Sequence, residues 1–323
     1  MTPAIANLID AHVHVLSAQG IDRILAMPGE CGLEALALMS LAQHGPEDAD
    51  QNEILLRIKR RAPDTVYIFG AIEYHRPGRT PQDVDPLADA RRLRAAGFDG
   101  MKMLEGKPTV RRSLGLALND PRYDAYYAYL QNEAIPLLSH VGDPETFWDP
   151  AACPDWARAH GWFYDASFPT LAQLYAETED VLARFPRLRV IFAHFLFLSG
   201  DIGRADDFLR RHPCAHLDIT PGSEMYFNFS RDVPAWQDFF TRHADRILFG
   251  TDNTDRGSDA APGDVSRVSE RVQWMCRFLT ATGEFPAFGG RIRGLGLDPA
   301  VVARICAGNF RRLVGARPRP LHR

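Results

Sequence analysis

Short apolar stretches recur along the chain about every thirty residues, and this spacing restricts the fold more than any other feature. Residues 66–72, 135–140 and 188–194 are clear examples. Each is nearly continuous in apolar residues, which is typical of a parallel strand buried on both faces. Segments with helical periodicity lie between successive stretches. Eight such units predict an α/β fold, a (β/α)8 TIM barrel with parallel strands inside a ring of helices.

The length of 323 residues is compatible with one barrel domain. We predict that residues 1–315 form this domain and that residues 316–323 are a frayed C-terminal tail. Extra helices are expected at 265–280 and 298–314. The segment 142–170, after the fifth strand, is long, aromatic and interrupted by prolines. A loop of this length in a compact domain usually has a function, and we predict a lid.

Composition and charge exclude several classes of partner. The chain is 46% hydrophobic and 24% charged, with a formal net charge of -4, which predicts neither a nucleic-acid nor a membrane partner. The five cysteines are widely spaced and odd in number, as expected for reduced thiols in a cytoplasmic protein. The longest strongly apolar run, 190–198, is too short to cross a bilayer. A small-molecule substrate is therefore expected.

Histidines and one aspartate occupy the C-terminal ends of the predicted strands, where TIM barrels carry their chemistry. His12 and His14 are one residue apart on the first strand, so their side chains point to the same face. The first strand ends at His14, the fifth at His140, the sixth at His194 and the eighth at Asp252. Imidazole and carboxylate groups at one rim predict a metal site.

With these residues, the chain resembles the amidohydrolase-related family of the metal-dependent hydrolase superfamily, and within it the group of aminocarboxymuconate-semialdehyde decarboxylase. The resemblance covers residues 5–315. The motifs that carry it are, in chain order, Asp10-Ala11-His12-Val13-His14, His140, Phe192-Ala193-His194, Phe249-Gly250-Thr251-Asp252 and Gly308-Asn309-Phe310-Arg311-Arg312-Leu313.

The resemblance implies a ligand set and a base. His12, His14, His140 and Asp252 would hold one divalent metal, with zinc as the first candidate and manganese or iron as alternatives. His194 would act as base or proton shuttle, and Asp252 would take a proton from water and pass it to a leaving group. A divalent metal lowers the pKa of the water that it binds from 15.7 to about 7, which makes hydroxide accessible at neutral pH.

Lys102, in the predicted fourth strand, leaves two alternatives open. In related two-metal enzymes a lysine at the end of this strand is carbamylated and bridges the metals, and the sixth-strand histidine binds the second ion. In that case Lys102 and His194 would take these roles. Otherwise Lys102 is an ordinary lysine that bonds a ligand or neutralises nearby carboxylates.

Further polar residues at the same rim are candidates for substrate binding. Arg111 and Arg112 follow the fourth strand and Arg256 follows Asp252, so each could bind a substrate carboxylate. Glu224 and Tyr226 follow the seventh strand.

The leading functional hypothesis is a hydrolase that uses metal-activated water on a small amide, lactone or ester, carboxylated or cyclic. The first alternative is a non-oxidative decarboxylase of an aromatic or dienoic acid. Such enzymes typically carry a small residue and a glycine soon after the sixth-strand histidine, whereas this chain has Phe195 and Leu196 there. A metal-free lactonase and a non-catalytic binding barrel are further alternatives. The resemblance also implies a homodimer.

Overall fold

Eight parallel strands form one sheet in which the strand order follows the chain. The structure is a computed structural model that describes residues 5–76, 78–222, 224–256 and 265–321. The strands are β1 (Leu8–Val13), β2 (Leu33–Met39), β3 (Val66–Ala71), β4 (Gly100–Gly106), β5 (Leu137–Val141), β6 (Val190–Phe192), β7 (Ala215–Asp218) and β8 (Ile247–Leu248).

Backbone contacts close this sheet into a barrel. The Ala11 amide donates to the Phe249 carbonyl at 3.0 Å, and Val13 bridges Asn253 in parallel. The first strand therefore meets the segment that follows the last one. The predicted (β/α)8 TIM barrel is confirmed.

Helices surround the barrel. They are α1 (Ile21–Cys31), α2 (Gln51–Arg61), α3 (Pro86–Ala96), α4 (Pro108–Leu114), α5 (Asp124–Asn132), α6 (Asp155–Ala159), α7 (Leu171–Arg184), α8 (Ile202–Arg211), α9 (Met225–Arg231), α10 (Val233–Arg242), α11 (Val265–Thr280), α12 (Pro299–Ala303) and α13 (Asn309–Val314). Among the described residues, none of these helices combines the length and apolarity needed to span a membrane.

Local sequence explains the ends of α3. The Asp85 side chain accepts a hydrogen bond from the Ala88 amide at 3.0 Å, and Pro86 occupies the first turn, where its missing N–H costs nothing. Gly97 ends the helix at φ 103°, a left-handed conformation that glycine adopts without a steric penalty.

The C-terminal helical segment closes the end of the barrel opposite the strand C-termini. Phe310 and Leu313 belong to the same buried cluster as Ile9 and Tyr67, near the starts of their strands. The Asn309 side-chain amide donates to the carbonyls of Ala244 and Ile247 at 2.7 and 2.6 Å. The last of the motifs that carry the resemblance, residues 308–313, thus has a structural role.

Several elements differ from the sequence expectations. Residues after α11 form an antiparallel hairpin of β9 (Thr282–Ala287) and β10 (Gly290–Leu295), which was not predicted. The eighth strand is shorter than the expected 246–252. The tail expected to fray is held at Arg319, whose backbone amide donates to the buried Asp99 carboxylate at 2.7 Å.

The segment predicted as a lid contains a 3-10 turn at Glu145–Trp148 and the short helix α6. Its apolar side chains form a small cluster of their own, comprising Phe147, Cys153, Ala157, Tyr164 and Phe168. This cluster gives the segment an ordered core. Its function as a lid stays a prediction.

Candidate metal centre

Three of the predicted ligands lie together at the C-terminal end of the barrel. The ligand atoms of His12, His14 and Asp252 are all within 4.8 Å of one another. Asp252 Oδ1 lies 3.1 Å from His14 Nε2 and 3.7 Å from His12 Nε2. The two Nε2 atoms are 3.2 Å apart.

Hydrogen bonds behind the two imidazoles determine which nitrogens face the centre. His12 Nδ1 donates to Asp218 Oδ2 at 2.9 Å, and His14 Nδ1 donates to the Met39 carbonyl at 3.0 Å. A neutral imidazole has one N–H, so each Nε2 presents a lone pair to the centre. Such outer bonds are typical of metal-binding histidines.

These acceptors fit a divalent metal. Two nitrogen lone pairs and a carboxylate oxygen at about 3 to 4 Å repel one another unless a cation or protons lie between them. Burial, with the nearby Lys102 charge, lowers the pKa of His12 well below 6.5, which disfavours a proton there. A set of imidazole nitrogens with one carboxylate suits zinc, manganese or iron.

Asp252 is positioned by the short eighth strand. Its backbone is left-handed, with φ 55°, and its amide donates to the His12 carbonyl at 2.8 Å. The preceding Thr251 donates through its amide and its hydroxyl to the buried Asp10 carboxylate at 2.9 and 2.5 Å. Burial opposes ionisation of Asp252, but His14 and His12 outweigh it and hold the pKa well below 3.8. Asp252 is therefore a carboxylate.

His140 is close to the centre but outside the compact group. Its Nε2 donates to the Gly142 carbonyl at 3.0 Å, so Nδ1 carries the lone pair. Burial lowers its pKa to about 4, which keeps the ring neutral at pH 7. Its ring centroid is 4.9 Å from that of His194. Its place as the fourth ligand stays a prediction.

Hydrogen bonds of its backbone amide hold His194 in place, and its Nε2 lies 3.9 Å from Asp252 Oδ2. The His194 amide donates to Asp218 Oδ1 at 2.8 Å and to Thr220 Oγ1 at 3.0 Å. Burial lowers the pKa of its ring to about 4. A neutral imidazole facing a carboxylate can accept or pass on a proton.

The turn that contains His194 is unusual. All four residues 194–197 have φ between 52° and 58°, and none is glycine. A left-handed conformation costs about 1–2 kcal/mol per non-glycine residue. Strain of this kind persists only where surrounding contacts enforce it, and it is concentrated at functional sites.

Lys102 lies on the side of His12 that faces the centre. Its Nζ is 3.2 Å from His12 Nε2, and its side chain is fully buried. Burial lowers the pKa of Lys102 to about 8, so the ammonium form still predominates at pH 7. The contact with a predicted ligand is compatible with both sequence alternatives, an ordinary lysine and a carbamylated one, and both stay predictions.

Three of the predicted substrate-binding residues are engaged elsewhere. Arg111 binds the Glu177 carboxylate through two nitrogens at 3.0 and 3.3 Å. The Arg112 guanidinium lies 3.6 Å from the centroid of the Phe168 ring. Tyr226 is 1% exposed and its hydroxyl donates to a backbone carbonyl at 2.7 Å. Each of the three has a protein partner in this structure, and its contact with a substrate stays a prediction.

Glu224 and Arg256 are the remaining candidates. Glu224 is partly buried and directly precedes α9. Arg256 is exposed, and its amide donates to Thr254 Oγ1 at 3.1 Å. Their contact with a substrate stays a prediction.

A buried network behind His140 was not found from the sequence. Lys107 Nζ lies 3.0 Å from both oxygens of Asp143, and the Tyr164 hydroxyl donates to Asp143 Oδ2 at 2.5 Å. Asp143 Oδ1 is 3.4 Å from His140 Nε2. Burial opposes ionisation of Asp143, but Lys107 and His140 hold its pKa below 3.8. In the sequence, only the acidic residue three positions after His140 indicated this network.

Asp218 also has a larger role than its sequence suggested. One carboxylate contacts both the His12 ring and the His194 backbone. Its position in the seventh strand, three residues before Pro221 of the Pro-Gly loop, places it at the rim. That position is the feature of the sequence that could have indicated its contacts with the two histidines.

The comparisons with known proteins identify the family. The amidohydrolase family profile matches residues 9–316. The chain belongs to the amidohydrolase family. No curated protein matches the sequence.

Solved structures similar to this amidohydrolase share its fold. One is a dihydroxybenzoic acid decarboxylase from Polaromonas with bound manganese and the inhibitor 2-nitroresorcinol (15% identity, 95% of this chain and 96% of that chain, TM-score 0.57). Another is 5-carboxyvanillate decarboxylase from Sphingomonas paucimobilis (14%, 96% and 99%, 0.55). A third is 4-oxalomesaconate hydratase from Rhodopseudomonas palustris (15%, 95% and 95%, 0.52).

Proposed function

We propose that this amidohydrolase-family enzyme is a metal-dependent decarboxylase that removes the carboxylate of a small carboxylic acid without oxidation. The charge of the centre carries the proposal. His12, His140 and His194 are neutral at pH 7 because burial lowers their pKa values, and Lys102 keeps most of its positive charge. Two carboxylates, Asp252 and the Asp218 that bonds His12, would stand against a divalent ion and Lys102, so the loaded centre would be net positive and would attract an anionic substrate.

The metal would be held by His12, His14, His140 and Asp252. Zinc is the first candidate, and manganese and iron are alternatives, since all three accept this donor set. The manganese in the Polaromonas decarboxylase supports including that ion in the tests. When bound, the ion polarises substrate oxygens as a Lewis acid.

Decarboxylation breaks the bond between carbon and the carboxylate, releases carbon dioxide, and leaves an electron pair that must take up a proton from water. His194 Nε2 and Asp252 Oδ2 are 3.9 Å apart, so they can relay that proton to the carbon atom. The Asp218 contact to the His194 amide keeps the ring in place. The names of the two decarboxylases with this fold support the same reaction.

Hydrolysis of a lactone, amide or ester is the second candidate. It is favoured by the residues after His194, where this chain has Phe195 and Leu196 instead of the small residue and glycine typical of the decarboxylases that it resembles. The same proton-holding pair would serve this reaction. A homodimer and a cytoplasmic location remain expectations from the sequence.

The test combines elemental analysis with a substrate panel. Protein loaded with zinc or manganese is incubated with aromatic and dienoic acids, and carbon dioxide is measured against the loss of acid. Equimolar carbon dioxide, about one ion per chain and loss of the ion in His12→Ala are the expected results. Release of acid from lactones, amides or esters without carbon dioxide would overturn decarboxylation in favour of hydrolysis. No turnover of any compound would point to a binding protein.

A further inference from the structure

Phe197 lies against two imidazoles of the metal centre. Its ring centroid is 5.3 Å from that of His194, with the ring planes 29° apart, and 5.8 Å from that of His140. Glycines stand beside it: a Cβ atom on Gly222 would be 3.6 Å from Phe197 Cε1, and one on Gly142 would be 3.9 Å from Cδ2. The ring is partly exposed, whereas His194 and the residues between them are buried. It therefore forms an apolar edge of the centre.

Contacts outside the centre hold the turn that carries this ring. Phe195 packs edge-to-face on Phe229 at 5.1 Å and on Trp236 at 5.7 Å. The Tyr175 hydroxyl donates to the Leu196 carbonyl at 3.0 Å. These contacts, with the bond from the His194 amide to Asp218, enforce the left-handed backbone of residues 194–197. Phe197 is consequently presented to the centre in a defined orientation.

We propose that Phe197 is a specificity-determining residue whose ring stacks on the flat carbon skeleton of a planar, conjugated carboxylic acid. This inference rests on the proposed function and its aromatic and dienoic acids, and it adds the residue that would recognise their planar skeleton. The predicted metal ligands and His194 offer polar atoms to a substrate, whereas Phe197 offers an apolar face. Aromatic rings stack on flat conjugated groups, and a puckered saturated ring of the same size cannot match that contact.

The test compares the binding of benzoate and cyclohexanecarboxylate to the zinc-loaded protein by calorimetry. The two probes share their charge and number of carbon atoms and differ in planarity. We expect the wild type to prefer benzoate by about two- to tenfold, the range measured for aromatic pairs. Phe197→Leu keeps an apolar side chain and should bring this ratio close to one, whereas Phe197→Tyr keeps a ring and should retain the preference. Metal content should be unchanged in both variants.

Equal preference in the wild type and Phe197→Leu, or no binding of benzoate, would overturn the inference. If Phe197→Leu does not fold, Phe197→Gly replaces it, because glycine accepts φ 52° without strain. The proposed reaction is judged separately. A Phe197-dependent preference without carbon dioxide release from any acid would refute decarboxylation only. Carbon dioxide release from a planar acid, with the same benzoate preference in the wild type and Phe197→Leu, would refute the role of Phe197 only.

Discussion

Replacing Asp218 by asparagine tests whether this carboxylate determines the proton position on His12. Asp218 Oδ1 accepts hydrogen bonds from the His194 amide at 2.8 Å, from the Thr220 amide at 3.1 Å and from the Thr220 hydroxyl. Oδ2 accepts from His12 Nδ1 at 2.9 Å. An asparagine at this position would keep its oxygen where the three donors converge, so its NH2 group would face His12.

The magnitude follows from this reversal. The new NH2 group donates, so His12 Nδ1 has to accept and the ring proton moves to Nε2, the atom that should bind the metal. Changes to such orienting partners typically cost 10- to 100-fold in metal affinity. This corresponds to about 1.4–2.8 kcal/mol.

Competition with a chromophoric zinc chelator at neutral pH measures this affinity. Thr220→Val is the matched control, because it removes a hydrogen bond to Asp218 Oδ1 and leaves the contact with His12 in place. Circular dichroism checks that both variants fold. Wild-type zinc affinity in Asp218→Asn would refute the tautomer argument and the assignment of His12 as a ligand through Nε2.

Three other predictions concern single residues. His194→Asn should keep its metal and lose about 10²- to 10⁴-fold in turnover; loss of half the metal by elemental analysis would indicate two ions instead. Burial raises the pKa of Glu105 from 4.5 to about 7, so the stability that it contributes is complete below pH 4.5 and lost as the pH rises through 7. Glu105→Gln should therefore be more stable than the wild type at pH 8, by at most about 3 kcal/mol, but not at pH 4. Equal shifts of the urea midpoint at both pH values would contradict this. Arg111→Ala should lose about 1.5–3 kcal/mol in urea unfolding because Glu177 loses its guanidinium partner and keeps only the Leu118 amide; a raised KM for a carboxylate would support Arg111 as a substrate contact.

The sequence was sufficient for the barrel and for the compact part of its centre because topology brings the strand ends together. His12, His14 and Asp252 are 240 residues apart at the extremes, and parallel closure alone places them at one rim. The ion pair of Arg111 could not be predicted, for the opposite reason. Its partner Glu177 lies 66 residues away on another helix, and no residue near Arg111 in the sequence indicates this ion pair.

The turn at 194–197 shows what local sequence cannot predict. Bulky residues such as Phe195 and Leu196 disfavour a left-handed backbone, so propensity points away from the observed conformation. Tertiary contacts override it, through the aromatic cluster around Phe195 and the hydroxyl of Tyr175. The hairpin after α11 was missed because β9 is mostly exposed and carries Gly283 and Pro286, which weaken a strand signal.

The network behind His140 joins the segment predicted as a lid to the metal centre. Tyr164 and Trp162 belong to that segment; one bonds Asp143, and the ring of the other lies 4.4 Å from Lys107 Nζ. If ordering of this segment strengthens metal binding at His140, metal binding must stabilise the ordered segment by the same free energy. Chelation should thus raise proteolysis and hydrogen exchange within residues 145–168, so that loading of the ion and ordering of this segment become one linked equilibrium.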